Sequence, residues 1–142
     1  MDIDKNIPTL TRLEMQEVAR ERISEISKEF KDGFKLLEDY PQSVTFFGST
    51  TFKEDNPYYQ SARALAGLIA KELGYSIISG GGPGIMEAAN RGASDVGGSS
   101  LGLTIKLPDG QVVNKYLTAQ VNFYYFFVRK VCLTFSSEAF IF

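Results

Sequence analysis

The segment of this chain best suited to hold a ligand is Gly80-Gly81-Gly82-Pro83-Gly84. Small residues let a backbone approach a ligand closely. Where such a run opens a helix, the unpaired N–H groups and the helix dipole favour an anion such as phosphate. Three successive glycines exceed what a tight strand-to-helix turn needs. The spacing is not G-x-G-x-x-G, and no P-loop Gly-Lys-Ser/Thr is present, so ordinary dinucleotide or ATP binding is only weakly indicated. A second small-residue turn, Gly48-Ser49-Thr50, either contacts sugar or phosphate through its hydroxyls or is simply a loop. Arg129-Lys130 lies between Phe126-Phe127-Val128 and Val131-Cys132-Leu133. That pair either snorkels at an edge or points into a site. Glu87 falls in the first turn after the glycines, where the dipole alone accounts for it. Beside a phosphate it would repel, so any function it has is to read a hydroxyl. Cys132 reads as a small buried hydrophobe. The aromatic run Phe123 to Phe127 reads as core, with a base-stacking wall as the alternative.

The composition narrows the chemistry further. Among 142 residues there is no histidine. This removes Ser-His and Cys-His nucleophile pairs and histidine zinc sites. Acid–base work must fall to carboxylates, Lys, Tyr, Arg or water. A net charge of −2 gives no basic excess for a nucleic-acid surface. One cysteine cannot form an internal disulfide, which fits a reducing cytosol and a cytoplasmic location. Met1 to Asn6 carries Asp2 and Asp4 and no apolar core, unlike a signal peptide. The longest nearly apolar run, Phe123 to Val128, is far short of the roughly 20 residues of a membrane span.

These residues must be positioned by an alternation of strands and helices. Residues 9–39 read as one amphipathic helix with a stripe of Ile23, Ile26, Phe30, Phe34 and Leu37, a packing or dimerisation arm ended by Pro41. Val44 to Phe47 is a strand. Asn56 caps a helix with Pro57 at its first position, burying Ala62, Leu65, Ala66, Ile69 and Leu73 and stopped by Gly74. Tyr75 to Ser79 is the second strand. After the glycines a helix runs from Ile85 to Val96 with Ile85, Ala88, Ala89 and Gly92 or Ala93 inward. Leu101 to Leu107 is a third strand, Val121 to Tyr125 a fourth, Phe126 to Ser136 a helix and Glu138 to Phe142 a last strand. Short apolar strands alternating with helices imply an α/β fold, a parallel sheet covered on both faces. Ligands bind at the carboxyl ends of such strands, so both small-residue turns should open on one edge. A strand at Ala139 to Phe142 with nothing after it reads as the front part of a longer protein.

Taken together, Phe47-Gly48-Ser49, the run from Gly80 to Ala93, Leu107-Pro108, Arg129-Lys130 and Ser137-Glu138-Ala139-Phe140-Ile141 resemble the LONELY GUY (LOG) family of nucleoside 5′-monophosphate phosphoribohydrolases. Its members have often been labelled lysine decarboxylases. The resemblance runs from Val44 to Phe142. It implies a Rossmann-like nucleotide-binding domain over residues 43–142, preceded by an N-terminal helical extension, residues 1–42. It implies cleavage of the N-glycosidic bond of a nucleoside 5′-monophosphate, of the AMP or cytokinin riboside type, to free base and ribose 5-phosphate. The arginine matching Arg129 is catalytic in the family, and the residue matching Lys130 lies in the substrate site. Gly48, Ser49, Gly80, Gly81, Gly82 and Gly84 then fall to substrate binding. No metal or redox cofactor is required, and a homo-oligomer, dimer or larger, is implied.

The sequence departs from the family in two places. A Pro-Gly-Gly-x-Gly-Thr-x-x-Glu motif, which holds the phosphate and supplies the catalytic glutamate, is absent from these residues. Gly110 stands in Leu107-Pro108-Asp109-Gly110-Gln111 where members carry a glutamate, a position Asp109 would have to fill by shifting. Oxocarbenium-like glycoside cleavage uses carboxylate and needs no histidine, in keeping with the composition. The competing reading is a non-catalytic nucleotide-binding module of the same Rossmann-like superfamily.

Overall fold

The structure, a computed structural model, describes residues 10–108, 110 and 112–142. Five strands make one sheet in the order β4-β3-β2-β1-β5, every neighbouring pair parallel. They are β1 (Ser43–Phe46), β2 (Ser76–Ser79), β3 (Ser100–Ile105), β4 (Ala119–Phe123) and β5 (Ala139–Ile141). The helices are α1 (Arg12–Asp39), α2 (Pro57–Leu73), α3 (Ile85–Asp95) and α4 (Phe126–Thr134). This is the expected Rossmann-like α/β fold with a long helix before it. Each expected element is present, shifted by at most three residues at an end; β4 begins at Ala119, two residues ahead of the expected Val121.

The two faces of the sheet are covered by different pairs of helices. On one face Val44, Phe46 and Ile77 pack against Ala66 and Ala70 of α2 and Ala89 and Ala93 of α3. On the other, Ile78, Leu101, Leu103 and Ile105 pack against Val128, Cys132 and Leu133 of α4, with Ile26, Phe30 and Leu37 of α1 laid over them. Burying each large aliphatic side chain contributes about 1.5–3 kcal/mol, so the central strands anchor the domain.

The helix signals hold where they are local. Asn56 caps α2, its side chain accepting from the Tyr58 N–H at 2.8 Å, and Gly74 ends it in the left-handed region at φ +69°. Thr11 and Glu14 form a capping box at the start of α1, a signal the sequence carried unread. Burial was misjudged in two helices. Leu65 and Leu73 were expected inward, yet α2 leaves them exposed. The inward face of α2 is set by Ala66 and Ala70, because backbone approach to α3 leaves no room for leucine. The α1 stripe is likewise split: Ile26, Phe30 and Leu37 reach the core, while Ile23 is 66% and Phe34 37% exposed.

Helix α1 does more than lie on the surface. The Glu29 carboxylate accepts from the N–H groups of Tyr124 (2.7 Å) and Tyr125 (3.1 Å), immediately before α4. Glu25 accepts from the Tyr125 hydroxyl at 2.8 Å. A carboxylate there complements the positive end of the α4 dipole. Gly33 allows the approach: a Cβ there would sit 2.7 Å from Cys132 Sγ and 2.9 Å from Phe123 Cζ. No helix among the described residues is long and apolar enough to cross a membrane.

Candidate functional site

In a parallel sheet every strand delivers its following loop to the same edge. Gly48-Ser49 follows β1, Gly80 to Gly84 follows β2, residues 106–118 follow β3 and α4 follows β4. From β1 the chain moves one way through β2 to β4, and β5 lies on the other side. The reversal at β1 is the topological switch point where open α/β sheets bind ligands.

The two small-residue turns interlock. The Ile85 N–H donates to Ser49 O at 2.9 Å. A Cβ on Gly48 would lie 2.6 Å from Ile85 Cβ, and one on Gly84 would strike the Ser49 carbonyl and Thr50. Close packing between turns therefore accounts for glycine at 48 and 84 before any ligand is considered. Gly84 also sits at φ +72° and Gly81 at φ +73°, which other residues rarely adopt. The Ser49 hydroxyl is paired with that of Thr51 at 2.8 Å.

The helix start is not wholly free, as the sequence suggested; the Ile85 N–H is taken by Ser49. Four donors nevertheless have no acceptor among the described residues: the N–H groups of Gly82, Gly84, Met86 and Glu87. No side chain caps the N-terminus of α3. Orphan N–H groups at a helix start form an anion site.

Arg129 and Lys130 separate. The Arg129 Nε donates to Leu103 O at 2.5 Å and its terminal nitrogen to Gly80 O at 3.3 Å. A Cβ on Gly80 would meet this guanidinium and lie 2.7 Å from the Met86 sulfur. Burial pulls the Arg129 pKa below its ordinary value, and among the described residues no carboxylate pairs with it. It remains charged, since guanidinium does not deprotonate in proteins. The charge is thus held against the glycine loop with only carbonyls as partners. Lys130 is exposed, its ammonium 5.2 Å from the Phe126 ring centroid. The structure brings Arg129 to the loop and leaves Lys130 outside it.

The Glu87 carboxylate accepts from the buried Tyr59 hydroxyl at 2.9 Å, a local partner in addition to the dipole. Tyr59 also lies beside Arg91, which is paired with Glu54. Of the aromatic run only Phe123 is core; Tyr124 is 66%, Phe126 50% and Phe127 51% exposed. The core reading fails for those three: Tyr124 lies in the bend before α4, and Phe126 and Phe127 sit on the first turn of α4 facing solvent. Gly110 is exposed at φ +78°, and Asp109 lies outside the described residues. Sequence reasoning missed Asn90 and Asn114, both buried beneath the glycine loop. The signal for Asn90 was available, a lone Asn among the alanines of α3.

A family model described as the SLOG cluster4 family matches residues 42–142. The chain belongs to the SLOG cluster4 family. No curated protein matches it. Among solved structures, this SLOG cluster4 chain is similar to the X-ray structure of TM1055, a structural genomics target, at 23% identity and a TM-score of 0.55. The likeness covers 70% of this chain and 58% of that one, so the chain spans rather more than half the length of that structure. At that identity the likeness speaks to fold alone. Family and fold agree with the LOG-type architecture that the sequence resemblance implied.

Proposed function

We propose that this SLOG cluster4 chain is the nucleotide-binding part of a phosphoribohydrolase, cleaving a nucleoside 5′-monophosphate of the AMP or cytokinin riboside type. The observation that carries the reading is the row of four N–H groups without an acceptor among the described residues, at Gly82, Gly84, Met86 and Glu87, beside the half-buried Arg129 guanidinium. A phosphate takes the N–H groups, a role that the resemblance gives to the Pro-Gly-Gly-x-Gly-Thr-x-x-Glu motif absent from these residues. Gly80, Gly81, Gly48 and Ser49 shape the floor, and Lys130 stands outside it. Water attacks C1′, the C1′–N bond breaks, and the base leaves with the electron pair and then takes a proton. Arg129 offsets the charge that develops on the departing base.

The assembly proposed is a cytoplasmic dimer or larger, with residues 1–42 as an extension of the 43–142 domain. Phe126, Phe127 and Phe135, at 50%, 51% and 71% exposure, would be covered by a second copy.

One observation favours the non-catalytic alternative. Glu87 is bonded to Tyr59, and Gly110 offers no carboxylate. The oxocarbenium-like transition state needs one, so neither position supplies it.

The test is release of free base from AMP by the protein and by its Arg129→Ala and Arg129→Lys variants. Turnover by the unaltered protein that Arg129→Ala abolishes supports the hydrolase. Near-normal turnover by that variant refutes the mechanism. Tight nucleotide binding with no cleavage across a broad panel selects the binding module.

A further inference from the structure

Helix α4 is 9 residues long and has no side-chain cap of its own. Isolated helices shorter than roughly 12–15 residues are marginal in water, so tertiary contacts must decide where α4 begins. Helix α1 supplies them. The Glu29 carboxylate gives one oxygen to each of two successive peptides, accepting from the Tyr124 N–H at 2.7 Å and the Tyr125 N–H at 3.1 Å. Tyr125 is the N-cap residue of α4. Its carbonyl accepts from the Arg129 N–H at 3.2 Å. The residue that Glu29 holds by its N–H therefore holds Arg129 by its carbonyl. Further along, α1 stays close to α4: Phe30 meets Phe127 edge-on with ring centroids 6.4 Å apart, and Gly33 leaves no room for a Cβ beside Cys132 Sγ.

We propose that Glu29 is a positioning residue for Arg129, through which α1 fixes the start of α4 and so the direction of the guanidinium. The consequence for turnover rests on the phosphoribohydrolase reading above; the placement of Arg129 does not. The guanidinium is held by two carbonyls on separate segments, Nε donating to Leu103 O of β3 at 2.5 Å and a terminal nitrogen to Gly80 O after β2 at 3.3 Å. Both bonds require the side chain to leave α4 toward the sheet. Successive residues of an α-helix point about 100° apart. A slip of α4 by one residue would swing Arg129 by that angle, away from both carbonyls, and bring Val128 or Lys130 toward them instead. Glu29 opposes the slip by pinning the two peptides just before the helix, and its charge favours the positive end of the α4 dipole. Removing it does not undock α1, because Ile26, Phe30 and Leu37 pack on the core independently of it.

The Arg129 Nε–H reports the placement directly, through its rate of exchange with water measured by heteronuclear NMR and assigned by its loss in Arg129→Lys. In the unaltered protein it should exchange more slowly than the same groups of exposed Arg20 and Arg22; equal rates overturn the proposal. Glu29→Ala should speed it roughly tenfold, the loss of a hydrogen bond to a charged group, while the Ile77 and Ile78 amides of β2 stay as slow as before. Tyr125→Phe removes only the hydroxyl bond to Glu25 and should leave Arg129 unchanged. An Arg129 signal that Glu29→Ala leaves unmoved, or moves only together with the Ile77 and Ile78 amides, overturns the proposal, as does Tyr125→Phe matching Glu29→Ala. Should Glu29→Ala not fold, Glu29→Gln, which keeps one acceptor oxygen, is read by the same criteria with a smaller expected change. Base release from AMP gives a second readout. Glu29→Ala should lower kcat with KM little changed, and should have no further effect in the Arg129→Ala background. An equal loss in that background overturns the positioning role. Absence of turnover in the unaltered protein defeats the phosphoribohydrolase reading, and the exchange rates then decide the placement of Arg129 by themselves.

Discussion

The two faces of the sheet solve the same packing problem with opposite residues. The α2–α3 face is built from Ala66, Ala70, Ala89 and Ala93, and its helices approach so closely that Gly92 has no room for a Cβ between Arg63 O and Gly67 N. The α1–α4 face is built from Phe, Leu, Ile and Tyr, and it leaves Phe126, Phe127, Phe135 and Ile23 in solvent. Small residues give backbone contacts that cannot adjust. Large ones give contacts at the ends of side chains, which can. The rigid face carries the helix whose N-terminus forms the candidate anion site. The adaptable face carries Arg129 and the exposed Phe126, Phe127 and Phe135.

The largest effect should come from the one charge that passes from the adaptable face to the site. Arg129→Ala should lower turnover by about 10²-fold or more, the usual cost of removing a transition-state contact. Arg129→Lys should not restore it, because a compact ammonium cannot bond Leu103 O and Gly80 O together. Steady-state base release measures both. Next comes assembly: Phe127→Ser with Phe135→Ser should turn an oligomer into a monomer at micromolar concentration without unfolding it. Light scattering that finds only monomer for the unaltered protein would remove the interface.

A matched glycine pair tests the difference in rigidity. Gly92→Ala forces a Cβ against backbone and should cost about 1–3 kcal/mol. Gly33→Ala meets the ends of Cys132 and Phe123 and should cost less, by chemical denaturation. Equal losses would end the contrast between the faces. Smaller again is Glu29→Ala, which removes the carboxylate before α4 and should cost about 1 kcal/mol.

The buried thiol also gives a pH dependence. Burial pushes the Cys132 thiol from its ordinary value near 9 up to about 11. The unfolded chain therefore ionises first, and stability should be full below pH 9 and fall toward pH 11. Iodoacetamide should label the native thiol slowly at pH 8 and the unfolded one readily. Fast native labelling would show that α1 does not cover this face.

Local chemistry was legible in the sequence. Asn56 and Gly74 bounded α2, the Pro57 start was right, and the glycine run marked the strand-to-helix turn beside the switch point. These depend on dihedral angles and nearest neighbours, which a short stretch of sequence settles. The parallel, doubly covered sheet also followed, because short apolar strands buried on both faces leave few other arrangements. Tertiary structure alone decided the rest. It turned Arg129 inward and Lys130 outward, since neighbouring positions on a helix point about 100° apart and only packing selects between them. It exposed Leu65 and Leu73 because α3 approaches through glycine and alanine. It brought the Glu29 carboxylate to the Tyr124 and Tyr125 N–H groups just before α4, 95 and 96 residues away in the chain. It joined Asn90 and Asn114, 24 residues apart, beneath one loop, a pairing no local pattern encodes because a buried amide finds its partners only once the chain has closed around it.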